Sequence, residues 1–120
     1  MSQARRDLGQ RGEALAASHL EALGYVILRR NWRHALGELD LVARDGDCLV
    51  LVEVRSRSGP RFGRPEESLD LRKQQRLARL STLCVQQLGW QGPWRIDVVA
   101  IDLPPSGEPA LRHYPSAVGP

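Results

Sequence analysis

The sequence predicts a single α/β domain built on a mixed β-sheet, with helices packed on the faces of the sheet. The first indication is the order of the apolar patterns, which alternate between helical and strand spacing as α-β-β-β-α-β-β. The second is a helical segment between the third and fourth strands, because a helical crossover makes two neighbouring strands parallel. The third is the length of 120 residues, which suits one domain with one sizeable core.

The composition is that of a folded protein, with 42% hydrophobic and 26% charged residues. The two cysteines, Cys48 and Cys84, are isolated, which excludes a disulfide framework and a CxxC zinc site. No apolar run approaches the ~18 residues of a membrane helix. The basic N-terminus also lacks the apolar stretch of a signal peptide, so the expected location is cytoplasmic.

The charge of the chain is weakly positive, with a net charge of +3 and a pI of about 9.4. All of the 17 basic residues except Lys73 are arginines. The planar guanidinium group binds phosphate and carboxylate more readily than an ammonium group does. A drift from lysine to arginine in GC-rich coding sequence explains the surface arginines equally well, so the net charge alone does not indicate a nucleic-acid partner.

The first half of the chain predicts a helix, a strand and a hairpin. Leucines at helical spacing predict a helix over Asp7–Leu23, which Gly24 ends, and Tyr25–Leu28 reads as a strand. Asn31–Leu36 is a polar connection. Two apolar runs then flank a turn and predict a hairpin, with the strands Glu38–Arg44 and Cys48–Arg55 and the turn Asp45-Gly46-Asp47.

The second half predicts a mobile loop over Ser56–Pro65 and a helix that begins at Pro65 and ends at Gly89. A strand is predicted over Ile96–Ile101 and a short last strand over Ala110–Tyr114. The tail from Pro115 is expected to be frayed. No repeat or linker divides the chain, so residues 1–120 are expected to form one domain.

Two carboxylates lie inside hairpin strands whose other residues are mostly apolar. They are Asp40 and Glu53, and buried carboxylates are normally paired or bound to a metal. With Gly46-Asp47 as a two-residue loop, Asp40 lies directly opposite Glu53. With Asp45-Gly46 as the loop, Asp40 faces Leu51 and Glu53 is its diagonal neighbour. A three-residue loop would place the two acids on opposite faces.

In either two-residue register, the polar residues of the hairpin lie mainly on one face and the apolar residues lie on the opposite face. One face carries Glu38, Asp40, Leu51, Glu53 and Arg55, and the other carries Leu39, Leu41, Val50, Val52 and Val54. Opposed like charges destabilise a sheet, so something must compensate them. A divalent cation with oxygen ligands does so, and so does an ordinary ion-pair network with Arg55 and other arginines. Both interpretations stay open at this point.

The motifs around these acids resemble known nuclease patterns. Asp40, the hairpin and Glu53-Val54-Arg55 resemble the PD-(D/E)xK signature, with Arg in place of Lys. A longer series of motifs resembles the YraN family of small bacterial proteins with a restriction-endonuclease-like fold, which is related to Holliday-junction resolvases. These motifs are Gly9-x-x-Gly12-Glu13, Gly24-Tyr25-x-Ile27-Leu28-x-Arg30-Asn31-Trp32-Arg33, Gly37-Glu38-Leu39-Asp40-Leu41-Val42, Glu53-Val54-Arg55-x-Arg57, Phe62-Gly63 and Asp97-Val98-Val99-Ala100-Ile101.

The resemblance implies a divalent-metal-dependent nuclease that acts on DNA, with branched or damaged DNA as one form of the substrate. It implies that Asp40, Glu53 and the Val54 carbonyl hold Mg²⁺ or Mn²⁺. It places Glu13 at the acid of the first helix, where it would reach the metal through a water or orient the nucleophile. Glu38 would support the site or pair with Arg55. Related nucleases often act as homodimers, because two symmetric cuts need two sites.

Arg55 is the departure from the nuclease pattern. An arginine binds phosphate and stabilises charge, but it does not deprotonate in proteins and so cannot serve as a general base. Arg55 is therefore compatible with metal-assisted hydrolysis and excludes a mechanism that uses lysine as the base. It also leaves open a nucleic-acid-binding module with a degenerate site, and a third alternative is a structural α/β protein whose acids pair internally.

Basic side chains follow the candidate site in two groups. Arg57, Arg61 and Arg64 lie in the loop where a phosphate backbone would run, and Arg72, Lys73 and Arg76 lie along the second helix. Arg79 continues that stripe but reads as a solvated residue, and Gln75 is polar on the same helix.

The aromatic and histidine residues are expected to have structural roles. Trp32 lies beside Arg33 and reads as a residue that caps the core, with stacking on a base as the alternative. His19, His34 and His113 show no metal-binding spacing, and each reads as structural or solvent-facing.

Overall fold

The computed structural model describes residues 3–58 and 69–119, and these residues form one five-stranded sheet with two helices. The order along the chain is α-β-β-β-α-β-β, as predicted, and the strands are arranged in the sheet as β1-β2-β3-β4-β5. The elements are α1 (Gln3–Ala22), β1 (Val26–His34), β2 (Gly37–Asp45), β3 (Cys48–Arg57), α2 (Leu71–Leu88), β4 (Trp94–Asp102) and β5 (Ala110–Val118).

The sheet is mixed because α2 connects its third and fourth strands. β1, β2 and β3 form an antiparallel meander, β3 and β4 are parallel, and β5 returns antiparallel to β4. This arrangement is compatible with a restriction-endonuclease-like fold. Neither α1 nor α2 is long and apolar enough to cross a membrane.

Each helix covers a separate apolar layer of the sheet. The layer under α1 contains Ala16, Ala17, Leu20, Leu41, Ala43, Val50, Val52, Val99, Ile101 and Leu103. The layer under α2 contains Trp32, Leu39, Val42, Leu49, Leu51, Leu77, Leu80, Cys84, Val85, Ile96, Val98 and Val118. The strands β2, β3 and β4 supply both layers, which explains why their sequences read as almost continuous apolar runs.

The ends of several elements differ from those that the sequence predicts: α1 begins at Gln3 rather than Asp7, and β3 continues to Arg57 into the predicted loop. β1 continues through the expected polar connection to His34, and β5 continues to Val118, so the expected fraying from Pro115 is wrong. The described part of α2 begins at Leu71, because the Asp70 side chain caps it by accepting a hydrogen bond from the Lys73 backbone N–H. The predicted start at Pro65 lies outside the described residues. Gly89 ends α2 in a left-handed conformation, as predicted.

Leu39 lies in the layer opposite to the one predicted for it. It packs with Trp32 under α2, whereas Leu41 packs under α1. In β1 the residue between the partners of these two leucines is Asn31, which has a φ of 55°. The left-handed residue in β1 thus lies beside the place in β2 where the simple alternation of faces does not hold.

Close packing between α1 and β3 fixes the position of the first helix. Gly12 is buried against Ser56, and a Cβ atom at Gly12 would overlap the Ser56 Oγ atom and lie 3.1 Å from the Ser56 Cβ atom. Glycine is unfavourable inside a helix, so its use here indicates a requirement for close approach. The contact brings the next residue, Glu13, to the carboxylates of β2.

We expect Gly12→Ala to lower the free energy of unfolding by about 1–3 kcal/mol, because overpacking a close contact costs about that much. Gly9→Ala in the same helix is the matched control, since its Cβ atom would meet nothing within 4 Å. It should be neutral or stabilise the chain by up to about 1 kcal/mol. Urea unfolding measures both variants. Ser56→Gly should restore stability to Gly12→Ala, and equal stability of the two alanine variants would contradict the packing argument.

Candidate active site

The register of the β2–β3 hairpin places Asp40 next to Glu53. Pairing runs from Asp45↔Cys48 to Leu41↔Val52, which is the register with Gly46-Asp47 as the loop. The ladder ends one residue before Asp40 and Glu53, whose side chains are hydrogen-bonded to each other. The Asp40 carboxylate accepts a hydrogen bond of 2.7 Å from the Val54 backbone N–H, so the side chain is held against β3.

The proximity of Glu53 changes the ionisation of Asp40. Burial, the negative charge of Glu53 and a hydrogen bond to that side chain together raise the pKa of Asp40 to about 9, against the lowering effect of the Val54 N–H. The raised pKa favours the protonated form of Asp40 at neutral pH, in which the carboxyl O–H can donate a hydrogen bond to the Glu53 carboxylate. The pair holds one negative charge where two carboxylates would otherwise repel each other.

This raised pKa predicts how stability depends on pH. The folded chain binds the Asp40 proton more tightly than the unfolded chain, whose carboxyl titrates near its ordinary value of 3.8. The free energy of unfolding should therefore fall as the pH rises between these two values. Urea unfolding from about pH 5 to pH 9 without divalent metal measures the slope, which Asp40→Asn should reduce. A slope that is unchanged in Asp40→Asn would show that Asp40 does not hold the proton.

A third and a fourth carboxylate complete the cluster. Glu13 from α1 and Glu38 from β2 each place a carboxylate oxygen so that these atoms and one of Asp40 lie within 4.8 Å of one another. Glu13 is half-buried, and burial followed by the charge of Glu38 raises its pKa. We call Glu13, Glu38, Asp40 and Glu53 the acidic cluster.

Asn31 joins two members of the acidic cluster. Its side-chain amide is surrounded by carboxylate oxygens, so the nitrogen is the atom that faces them. In this orientation the nitrogen donates to Glu13 at 3.1 and 3.2 Å and to Glu38 at 2.8 Å. In the sequence, Asn31 is visible only as part of a motif and as the first residue of a polar segment. The signal that could have identified it is an asparagine inside a strand, because asparagine tolerates the left-handed backbone found here.

Comparison with known proteins assigns the chain to a protein family. Residues 12–101 match the family described as "Uncharacterised protein family UPF0102". The chain belongs to the UPF0102 family. This confirms the resemblance to the YraN family. The matched region contains the four residues of the acidic cluster, Asn31 and Arg55.

The UPF0102 relatives are similar along most of their length. The chain is 44% identical to a UPF0102 protein of Herpetosiphon aurantiacus over 119 residues, which cover 95% of each chain. It is 48% identical to one of Symbiobacterium thermophilum over 108 residues, which cover 89% of this chain and 92% of the relative. A relative from Moorella thermoacetica is 49% identical over 102 residues, which cover 84% and 85% of the two chains.

Two arginines pair with members of the acidic cluster in this UPF0102 protein. Arg55 Nη1 lies 3.3 Å from Glu53 Oε2, and both side chains are largely buried. Arg33 Nε lies 3.2 Å from Glu38 Oε2 in an exposed pair, so Glu38 pairs with Arg33 rather than with Arg55 as one interpretation expected. The ion pair that an internal ion-pair network requires is thus present between Arg55 and Glu53.

Arg57 pairs with a carboxylate outside the acidic cluster. Its guanidinium group lies 2.8 Å from Asp102 on β4, and Arg112 from β5 binds the other oxygen of the same carboxylate at 3.0 Å. These two arginines lower the pKa of Asp102 against the effect of its burial. Arg57 is therefore an ion-pair partner within the sheet. The predicted phosphate contacts Arg61 and Arg64 lie outside the described residues.

A cleft connects the acidic cluster with the basic residues of α2. Its volume is about 240 Å³, and Glu38, Glu53, Arg55, Lys73, Arg76, Leu77 and Leu80 line it. A wider groove of about 610 Å³ follows, lined by Leu36, Asp70, Arg72, Lys73, Gln75, Arg76 and Arg79. Lys73 and Arg76 line both spaces. We call the second space the basic groove, and it contains the predicted Arg72, Lys73 and Arg76 together with Gln75 and Arg79.

Arg76 also has a structural contact. Its Nε atom donates a hydrogen bond of 3.0 Å to the Leu36 carbonyl, and its guanidinium group packs where a side chain at Gly37 would stand. Gly37 has a φ of 147°, so the turn before β2 needs glycine for its backbone as well. Arg76 thus joins α2 to the beginning of the strand that carries Glu38 and Asp40.

Proposed function

We propose that this UPF0102 protein is a divalent-metal-dependent nuclease that hydrolyses phosphodiester bonds in DNA, with branched or damaged DNA among its substrates. The observation that carries the proposal is a cluster of four carboxylates, two of which, Glu38 and Glu53, line a cleft that leads to the basic groove. Clustered carboxylates repel one another and also repel a phosphate. A bound cation would remove both difficulties, and the neighbouring basic side chains offer contacts to a phosphate backbone.

The donor set fits Mg²⁺ or Mn²⁺, because these ions prefer oxygen ligands. The raised pKa of Asp40 means that its negative charge is unfavourable beside Glu53. A cation bound between the two carboxylates would remove this repulsion. Asp40, Glu53 and the Val54 carbonyl would hold the ion, and Glu13 would contact it through a water. When bound, such an ion lowers the pKa of a water molecule and stabilises the charge that develops on the phosphate.

The chain's own residues would supply the remaining functions. Arg55 is held at the cleft by Glu53, where its fixed positive charge can bind a phosphate oxygen. Lys73 adds a second positive charge at the border of the cleft and the basic groove. Glu13 can accept a proton from the attacking water, because its raised pKa makes it a better proton acceptor than an exposed glutamate.

Cleavage assays with several DNA forms test the proposal. Linear duplex, single-stranded, flapped and four-way DNA are each incubated with Mg²⁺ or Mn²⁺ and with either wild type or Asp40→Asn. The proposal predicts metal-dependent cleavage of at least one form by wild type and none by the variant. Cleavage that persists at the same rate in Asp40→Asn, or no cleavage of any form, would contradict it.

A second candidate function is a nucleic-acid-binding module whose nuclease site is degenerate. The Arg55–Glu53 ion pair favours it, because that pair neutralises one of the two metal-binding carboxylates without any metal. This candidate predicts binding to the same DNA forms without cleavage. Both functions use the basic groove to bind DNA. They differ in whether Glu53 binds a metal and Arg55 binds the phosphate, or whether the two side chains only neutralise each other.

Both functions predict that DNA affinity depends on salt. The groove offers several basic side chains and few groups that could form hydrogen bonds with bases. A plot of log Kd against the logarithm of the salt concentration should therefore have a slope of about 0.9 for each phosphate contact. Lys73→Ala should weaken binding and reduce that slope by about 0.9. Arg44→Ala is the matched control, since Arg44 is exposed at the other end of β2. Fluorescence anisotropy at several salt concentrations gives both slopes, and equal slopes for the two variants would remove the groove from the interface.

A further inference from the structure

A second polar cluster lies on the other side of the sheet from the cleft, between α1, β4 and β5. At its centre is Asp97, which has no exposed side-chain surface. Arg95 Nε binds its carboxylate at 3.0 Å, the Ser116 backbone N–H donates to it at 3.0 Å, and His113 Nε2 lies 2.8 Å from it. Because the Arg95 guanidinium group also contacts Asp45 and Tyr25, the carboxylate is fixed in position.

The contact with Asp97 determines the state of His113. A carboxylate accepts hydrogen bonds, so the Nε2 atom of His113 carries the proton. In a neutral imidazole the Nδ1 atom then has a free lone pair. This lone pair faces His19 of α1, whose Nε2 atom lies 3.3 Å away. His113 itself is almost completely buried, and His19 is half-buried and reaches the surface.

The separation of the two rings corresponds to that of two imidazole ligands of one tetrahedral metal ion. With a metal–nitrogen distance of about 2.0–2.1 Å, tetrahedral geometry sets two ligand nitrogens about 3.3–3.4 Å apart. With about 1.1 Å from each nitrogen to its ring centre, the same geometry places the ring centres about 5.1–5.2 Å apart. The observed values are 3.3 Å between the nitrogens and 5.2 Å between the ring centres.

A simple linear hydrogen bond fits these values less well. With both rings pointing along the line between the nitrogens, a separation of 3.3 Å would put the ring centres about 5.5 Å apart. The shorter observed separation shows that the rings are tilted relative to that line. Burial and His113 also lower the pKa of His19, which favours the neutral form that a metal ligand must have.

We propose that His19 and His113 bind a transition-metal ion of the zinc class, with water in the remaining positions. Asp97 is the positioning residue, because it orients His113 and fixes its tautomer as carboxylates do in many histidine–zinc sites. Imidazole nitrogen selects Zn²⁺, Cu²⁺, Ni²⁺ and Co²⁺ over Mg²⁺. The site is independent of the proposed nuclease centre, whose donors are oxygens on other residues.

Such a metal would connect two distant parts of the chain. His19 lies near the end of α1 and His113 lies in β5, 94 residues later. A metal bound by both would fasten α1 to the sheet and stabilise the folded state by mass action. Glu13 lies on the same helix. A metal bound by His19 and His113 would therefore also restrict the movement of Glu13 relative to β2.

Calorimetric titration of the tag-free full chain with Zn²⁺ tests the proposal. The expected result is one high-affinity Zn²⁺ ion per chain, separate from weaker Zn²⁺ binding at the acidic cluster. The affinity of this first site should fall about 100-fold or more in His19→Ala, because loss of a ligand should exceed the 10–100-fold effect of losing a supporting contact. His34→Ala is the matched control, since His34 is the third histidine of the chain and stacks on Trp32 instead. It should keep the high-affinity Zn²⁺ site with the affinity of wild type, and so should Asp40→Asn, which removes only the weaker binding at the acidic cluster.

Spectroscopy identifies the ligands directly. The Cu²⁺-loaded chain should show electron paramagnetic resonance splitting from two imidazole nitrogens, and the Co²⁺-loaded chain should show no thiolate absorption. An unchanged high-affinity Zn²⁺ site in His19→Ala, loss of that site in Asp40→Asn alone, or no high-affinity Zn²⁺ binding by wild type would each overturn the proposal. Because His19→Ala places a good helix former in a half-buried position, it should fold, and circular dichroism checks that it does.

Discussion

Asp40→Asn is expected to abolish metal-dependent DNA cleavage while the chain stays folded. A bound divalent ion contributes several kcal/mol of transition-state stabilisation, so losing it should reduce the rate about 10³-fold or more. Asparagine has nearly the shape of the protonated Asp40 carboxyl, and its amide can donate to Glu53 as that carboxyl does. Stability at neutral pH should therefore be equal to or higher than that of wild type.

The control for this prediction is Asp47→Asn. Asp47 is exposed in the turn of the same hairpin, so the substitution makes the same chemical change at a distance from the acidic cluster. Cleavage rates and urea unfolding are measured in parallel for both variants and wild type. No cleavage by wild type, together with a large fall in stability and unaltered metal binding in Asp40→Asn, would instead favour the structural α/β protein with internally paired acids.

Arg55→Ala is expected to produce the second large loss of activity. If Arg55 stabilises charge on the phosphate, its removal should lower the rate about 10²–10³-fold, as for other charge-stabilising donors. Arg55→Lys should keep the rate or raise it, because lysine restores the PD-(D/E)xK pattern and can still pair with Glu53. Single-turnover cleavage of the best DNA substrate measures both variants.

The pair of Arg55 variants also separates the two candidate functions. Cleavage by Arg55→Lys in the absence of any cleavage by wild type would identify the natural protein as a binding module with a degenerate site. Cleavage by Arg55→Ala at the wild-type rate would remove Arg55 from the mechanism. Arg57 would then be the next candidate for the phosphate contact, although it is paired with Asp102 on the next strand.

Much of the fold follows from patterns that are local in the sequence. The order of elements and the glycine end of α2 depend on short-range spacing and turn chemistry, and both are confirmed. The loop at Gly46-Asp47 is one of the two two-residue loops that the sequence left open. The position of Leu39 and the length of β5 were not predictable in this way. The change of face at Leu39 lies beside a left-handed residue in a neighbouring strand, and the length of β5 depends on pairing with β4.

The candidate site was predictable where its residues share a hairpin and unpredictable where they do not. The proximity of Asp40 and Glu53 follows from strand register, which the sequence restricts to a few choices. Glu13 could be placed only through the family resemblance, because its position depends on the contact of Gly12 with Ser56. Arg57 has the residue type expected for phosphate binding, but its partner Asp102 lies 45 residues away and no local pattern reveals it.

The histidines illustrate the same limit. His19 and His113 have no metal-binding spacing in the sequence, yet the packing of α1 against β5 brings their nitrogens to 3.3 Å. Distant residues of this kind meet only through the tertiary structure, so sequence spacing is informative for sites within one element or hairpin and uninformative for sites between elements.

Calorimetric titration with Mn²⁺ tests most directly whether the acidic cluster is a metal centre. We expect wild type, His19→Ala and Asp47→Asn to bind one Mn²⁺ ion per chain, and we expect Asp40→Asn and Glu53→Gln to lose that binding while remaining folded by circular dichroism. Equal Mn²⁺ binding by wild type, Asp40→Asn and Glu53→Gln would contradict the account, because the two opposed carboxylates would then have no part in holding a metal.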